Sequence, residues 1–184
     1  RYTHHVDKFI PLMASCLQPT DDLTNPEDSD ESIVRHHAIL ILSNLILQDY
    51  IKWKGVLFYR FLAATVDRDP SVANLAKLIL CGPLLTKQPS LFFNNFVDAL
   101  FILNGCTAHP MYTKRDKNKN KNDTHPLRAE GLDFFRIDNS IKREEIYSLL
   151  LDHMSDEEKI GATARLSKEV LSAATEMKGE LRSA

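Results

Sequence analysis

The sequence lacks most of what a catalytic site is built from. Glycine is scarce, six in 184 residues, and none sits in a G-x-x-x-x-G-K stretch that would cradle phosphate. No G-x-S-x-G elbow presents a serine nucleophile. Cysteine is scarcer still: Cys16, Cys81 and Cys106 form no C-x-x-C pair, so the odd count reads as reduced thiols of an intracellular protein. Cys16 and Cys81 lie inside apolar helical runs and are expected in the core. No apolar run is long enough to span a bilayer, since the longest, residues 38–46, is broken by Ser43 and Asn44. No signal-peptide pattern is visible, and no stretch reads convincingly as a strand. Excess positive charge is also missing. The formal net charge is −2, which argues against a wholesale nucleic-acid-binding surface and leaves room for a local patch.

What is present is helical. Apolar residues make up 43% of the chain and charged residues 26%, enough for a real core and a solvated surface. The length suits one compact domain or four to five helical-hairpin repeats. The chain opens on Arg1, directly in a helical pattern, and reads as a fragment of something longer. Val6, Phe9, Ile10, Met13 and Leu17 keep helical spacing, with Pro11 placed to kink it. Residues 18–30 form an acidic loop insertion. Residues 32–49 are the clearest helix, so apolar all round that it is expected to be sandwiched between neighbours. Leu57, Phe58, Phe61, Leu62 and Val66 mark another. Asp69 and Pro70 are a start signal for a helix carrying Val72, Leu75, Ala76, Ile79 and Leu80, which Gly82 and Pro83 should bend or end. Pro89 opens the next, with Phe92, Phe96, Leu100 and Leu103 in period and Gly105 as its stop. Residues 107–139, Lys/Asn-rich at their centre, are expected to be a long mobile loop, although Leu127, Leu132, Phe134, Phe135 and Ile137 are apolar enough to dock on the body. Two helices follow, the last opened by a capping box of Ser155 and Glu158.

A repeat underlies these helices. Asp30, Val34, Arg35 and Ala38 are echoed by Asp69, Val72, Ala73 and Ala76, and the two valines stand 38 residues apart. That spacing belongs to HEAT and armadillo arrays. A single hairpin cannot bury its apolar faces, so the units must stack. The expected fold is all-α, an α-α superhelix: a HEAT/armadillo-like solenoid of antiparallel helix pairs, with residues 1–184 one solenoid fragment.

Wording goes beyond pattern. The run "SDESIVRHHAILILSNLILQDYIKWKGVLFYRFLAATVDRDPSVANLAKLIL" resembles the HEAT region of the condensin D-type subunits, with "DYIKWKG" and "VDRDPSVANLAK" in the same order. The segments "PSLFFNNFVDALFILN" and "KREEIYSLLLDHMSDEEKIGATARLSKEVLSA" look more like the condensin II version than the condensin I version. The resemblance covers roughly residues 3–174 and weakens at 18–28 and 113–138. It implies a non-catalytic scaffold of the condensin II complex, in the nucleus on chromosomes, acting in mitotic chromosome condensation. It also implies kleisin and SMC subunits as partners, with duplex DNA and histones as further ones. It implies no cofactor, no membrane and no small-molecule substrate. A HEAT or armadillo adaptor of transport or signalling would share the fold, and an α-helical enzyme would need a pocket of convergent acids or histidines.

Candidate site residues follow from charge and aromaticity. Lys114, Arg115, Lys117, Lys119 and Lys121 would release counterions from DNA phosphates, although isolated charge runs are more often solvated loops. Lys52, Lys54 and Arg60 flank the Trp53 turn and would form part of a basic ridge with Arg35. Trp53 is a candidate partner anchor; its alternative role is to cap the core between two units. His4–His5 and His36–His37 are adjacent pairs whose side chains point about 100° apart on a helix and chelate poorly. Asp152, His153 and Asp156 lack any accompanying zinc-ligand spacing. No metal site and no catalytic residue is expected.

Overall fold

A computed structural model describes residues 9–17, 29–53, 55–104 and 140–182. These residues are helical, joined by turns, with no strand among them. Helix α1 is Ile10–Ser15, α2 Ser29–Leu47, α3 Gly55–Ala64, α4 Pro70–Ile79, α5 Leu91–Leu103, α6 Ser140–Asp152 and α7 Asp156–Arg182. Pro11 lies in the first turn of α1. It therefore starts that helix instead of kinking it, because its missing N–H would be unpaired there anyway.

Asp69 and Pro70 act as read. Asp69 is the N-cap of α4, accepting the Ser71 N–H at 2.8 Å, with Pro70 at the first helical position. Gly82 and Pro83 do not end the helix. Instead α4 continues through a π-helical turn, Leu80–Leu84, into a last turn, Leu85–Lys87. The wider π register accommodates a residue that has no N–H to donate and whose ring crowds the preceding turn. The Thr86 hydroxyl donates to the Gly82 carbonyl at 2.9 Å, pairing one acceptor of that turn.

The extension matters for stacking. The N-terminal turns of α2 and α4 share one cleft, lined by Ser32, His36, Asp69 and Val72. The C-terminus of α2 and the tail of α4 share another, lined by Ile46, Asp49, Leu84 and Lys87. The two helices thus run side by side in the same direction, with α3 between them in sequence. That is the relation expected of equivalent helices in consecutive repeats. The equivalence holds inward at three matched positions: Arg35 with Ala73, Ala38 with Ala76, and Leu42 with Leu80 are all buried.

The sandwiched helix is α3, not α2. Residues 57–62 are all buried, with Phe58, Tyr59, Phe61 and Leu62 at 1% exposure or less. On α2, Ile33, Val34, Leu40 and Ile41 stay 41–53% exposed. An apolar-all-round pattern says a helix can be covered on every side, and cannot say which neighbours do so. Trp53 packs edge-on to Phe58 and Phe61, and Phe58 in turn meets Phe92 of α5. This ring series ties the first repeat to the second half, where α5 packs on both α6 and α7. Ile146, Leu150, Met154 and Ala162 bury against that body. Two ion pairs reinforce these contacts, Lys77 with Glu145 at 2.6 Å and Arg165 with Asp98 at 2.9 Å. Cys16 and Cys81 sit half-buried against the core, where burial pushes the Cys81 thiol up.

Candidate partner and nucleic-acid surface

Helix geometry divides the basic residues read as a ridge. Arg35 points inward: only 8% of the residue is exposed. Its Nε lies 2.9 Å from Asp67 Oδ2, and its Nη2 donates to Asp67 Oδ1 at 3.2 Å. Asp67 Oδ1 also accepts the Asp69 N–H at 2.9 Å. The guanidinium of one repeat therefore holds the turn that starts the next, through one hydrogen bond and a close ion contact with the same carboxylate. Arg60 is also buried, and its Nη1 donates to the Ala14 carbonyl at 2.6 Å. That carbonyl, at the C-terminal end of α1, also accepts the Leu17 N–H at 3.1 Å, so Arg60 adds a second donor to it. Neither arginine offers its charge to solvent, so these two do not form the exposed phosphate-binding ridge expected of them. The repeat alignment held the signal for Arg35, since its counterpart Ala73 is a core position.

Lys52 is exposed, on the link between α2 and α3. Trp53 follows it, half-buried against the core by its two edge-on ring contacts. Lys54, Lys114, Arg115, Lys117, Lys119 and Lys121 lie outside the described residues, as do Cys106, Gly105, the 107–139 loop and all but the last two residues of the 18–30 loop.

Lys52 and Trp53 line a cleft of about 460 Å³ with Ile46, Ile51, Leu84 and Gln88. Sequence reading missed how this cleft is held. Helix α2 ends in a Schellman turn: Tyr50 N–H donates to the Leu45 carbonyl at 2.9 Å and Asp49 N–H to the Ile46 carbonyl at 3.1 Å. Asp49 takes the left-handed conformation, φ 60°, which asparagine and aspartate tolerate better than other side chains. Lys87, from the tail of α4, donates to the Ile46 and Leu47 carbonyls at 2.8 and 2.7 Å and pairs with Asp49 at 2.7 Å. A cation at a helix C-terminus meets the negative end of the dipole. One repeat thus caps the helix of the repeat before it.

The histidines have local roles. His37 Nδ1 lies 2.8 Å from the Ile33 carbonyl. His153 Nδ1 lies 2.9 Å from the Leu149 carbonyl, with its ring edge-on to Phe92. Among the described residues, no group of three or more His, Cys, Asp and Glu side chains is placed to hold a metal. Among the same residues, no helix is long and apolar enough to cross a membrane.

Stacked helix hairpins, joined by cross-repeat caps and ion pairs, define an α-helical repeat scaffold of the HEAT type. The chain belongs to the family described as non-SMC mitotic condensation complex subunit 1, whose model matches residues 2–175. It is similar to Condensin-2 complex subunit D3 of Mus musculus, 31% identical over 96% of this chain and 11% of that protein. It is also similar to Condensin-2 complex subunit D3-L of Xenopus laevis, 32% identical over 93% of this chain and 10% of that protein. A third relative, Condensin-2 complex subunit CAP-D3 of Arabidopsis thaliana, is 33% identical over 95% of this chain and 12% of that protein. The chain thus spans about a tenth of the length of these relatives. No solved structure matches.

Proposed function

We propose that the chain serves as a non-catalytic HEAT-repeat scaffold of the condensin II complex. In this reading it binds the kleisin and the SMC subunits, with duplex DNA and histones as further contacts. It acts in the nucleus, on mitotic chromosomes. The observation that carries the reading is the family match across residues 2–175, together with relatives named as condensin-2 subunits in a mammal, an amphibian and a plant. The helical packing supports it, because side chains that carry charge inside the body, Arg35 and Arg60, serve inter-helix ties. Exposed lysine at the Trp53 link and the five bases of 114–121 are the DNA-facing candidates.

Membership is tested by recovering the tagged protein from mitotic extract. Co-recovery of SMC and kleisin subunits is expected, and their absence would overturn the reading. The DNA contact is tested by fluorescence anisotropy with duplex DNA at low and moderate salt. Binding should fall steeply with salt, by a log–log slope of about −0.9 per phosphate engaged. Neutralising Lys114, Arg115, Lys117, Lys119 and Lys121 should abolish it. Persistence after neutralisation moves the contact to Lys52 and Lys54. Absence of binding at low salt removes DNA from the partners and leaves the kleisin as the ligand to test.

A further inference from the structure

The tail of α4 is fastened to the body by few groups. Of residues 85–90, Leu85 alone is partly buried against the core, and the other five are exposed. Leu84 before them and Leu91 after them are 1% and 0% exposed. A cleft of about 460 Å³ lies between the tail and the end of α2, and Lys87 crosses it. An ammonium has three donors. Lys87 meets three acceptors with them: the Ile46 and Leu47 carbonyls at 2.8 and 2.7 Å, and Asp49 Oδ1 at 2.7 Å. The contact is wet. The Lys87 side chain is 32% exposed and that of Asp49 83%, so water and salt compete for both.

Behind the tail lies a joint. The π turn Leu80–Leu84 carries Pro83, which has no N–H to donate. Its hydrogen bonds run i→i+5 in place of i→i+4, so the turn holds about one residue more than an α turn. The Leu85 N–H is shared between the Gly82 and Leu80 carbonyls. A Cβ added at Gly82 would meet nothing within 4 Å, so no neighbour braces that position. Helices change direction at prolines and π turns. The receiving end is equally local: the Asp49 and Tyr50 N–H groups close their turn on carbonyls of α2 itself. Few buried apolar contacts and exposed backbone hydrogen bonds mark segments that open well below the cost of global unfolding.

We propose that the tail of α4 is a latch between the first and second repeats, hinged at the π turn and held shut by the Lys87 ammonium. When Lys87 lets go, the tail and the Schellman turn at Asp49 open together, while the bodies of α2 and α4 stay packed through Ile39, Leu42, Ala76 and Leu80. Charge operates the latch, because two of its three acceptors are carbonyls at the negative end of a helix and the third is a carboxylate. The scaffold thereby has a joint at a defined place. The latch needs no partner, so it stands apart from the condensin reading.

The test is native-state amide exchange, read by NMR on the whole chain. Three amides report the latch: Gln88, bonded to the Leu84 carbonyl at 3.0 Å, and Asp49 and Tyr50. Two on the body of α4 serve as references: Ala73, bonded to the Asp69 carbonyl at 3.0 Å, and Leu80, bonded to the Ala76 and Lys77 carbonyls. Lys87→Met should lower the protection of Gln88, Asp49 and Tyr50 together by about tenfold and leave Ala73 and Leu80 unchanged, which puts the hinge between Leu80 and Gln88. Asp49→Asn keeps a residue tolerant of positive φ and removes the charge; protection of the same three amides should fall about twofold to fivefold. Raising salt from about 50 to about 500 mM should lower them similarly in wild type and have no effect in Lys87→Met. A fall at Gln88 without one at Tyr50 would mean no common opening and overturn the proposal. An equal fall at Ala73 and Leu80 would make Lys87 an ordinary contributor to global stability, and unchanged protection throughout would mean that Lys87 holds nothing shut; either result overturns it too.

Discussion

Arg35 carries a charge into the core because Asp67, 1% exposed at its side chain, pairs with it there. Removing one member of such a pair strands the other. Arg35→Ala is expected to destabilise the fold by roughly 3 kcal/mol or more in urea unfolding, while Arg35→Met combined with Asp67→Leu recovers most of the loss. If the single change costs less than about 1 kcal/mol, the pair is only a surface contact. Asp69 gives a pH-dependent counterpart. The Ser71 backbone N–H, aided by the Ser32 side chain, holds its carboxyl below the ordinary value of 3.8. A depressed folded value means its contribution is fully present above 3.8 and fades as pH falls from there through the folded value. Asp69→Asn keeps the capping acceptor without the charge. The stability difference between wild type and D69N, followed by circular dichroism down to about pH 2, should shrink below the ordinary value and stay constant above it.

At the scale of elements, most starts were legible and some stops were not. Ser155 and Glu158 form the reciprocal pair expected of them: the Ser155 N–H donates to Glu158 Oε2 at 3.0 Å and the Glu158 N–H to Ser155 Oγ at 3.2 Å. Ser155→Ala should lower stability by about 1 kcal/mol, with faster amide exchange in the first turn of α7. Unchanged exchange at Glu158 would mean the cap is not formed in solution. Start signals are local side-chain chemistry, so they can be read in order along the chain. The continuation past Pro83 is not local. It carries Lys87 to the C-terminus of α2, whose Leu47 carbonyl lies 40 positions back in the chain, and no residue near Pro83 announces that contact. The end of α5 falls where the sequence placed it, at Leu103 with Asn104 as C-cap, but its tie to α6 was not legible: Asn104 donates to the Leu100 carbonyl and to the Tyr147 hydroxyl, both at 2.8 Å. Tyr147 is 43 positions away.

Across the whole molecule, close approach of α5 and α7 depends on one missing side chain. A Cβ added at Gly161 would stand 3.0 Å from Phe93 Cε2 and 3.2 Å from its Cζ. Gly161→Val is expected to destabilise by about 1–3 kcal/mol through forced displacement of the Phe93 ring, read as a lower Tm. A variant with Phe93→Leu added should recover part of the loss, because the obstructing ring is gone. No recovery would place the cost in α7 itself.

The repeat was visible in one dimension because stacking imposes it on composition: Ala38 and Ala76, Leu42 and Leu80 recur at one spacing and all turn inward. Family likeness, helical class, the Asp69 cap and the Ser155 box were determined by the sequence alone, since each rests on neighbours a few residues apart or on the order of words in the chain. Only the tertiary structure decided which basic residues face solvent. Lys52 does, while Arg35 and Arg60 are turned into the body by partners 32 and 46 positions away. It also decided that α3, not α2, is the covered helix. An apolar pattern sets how much surface can be buried, and the arrangement of neighbouring helices sets which of it is.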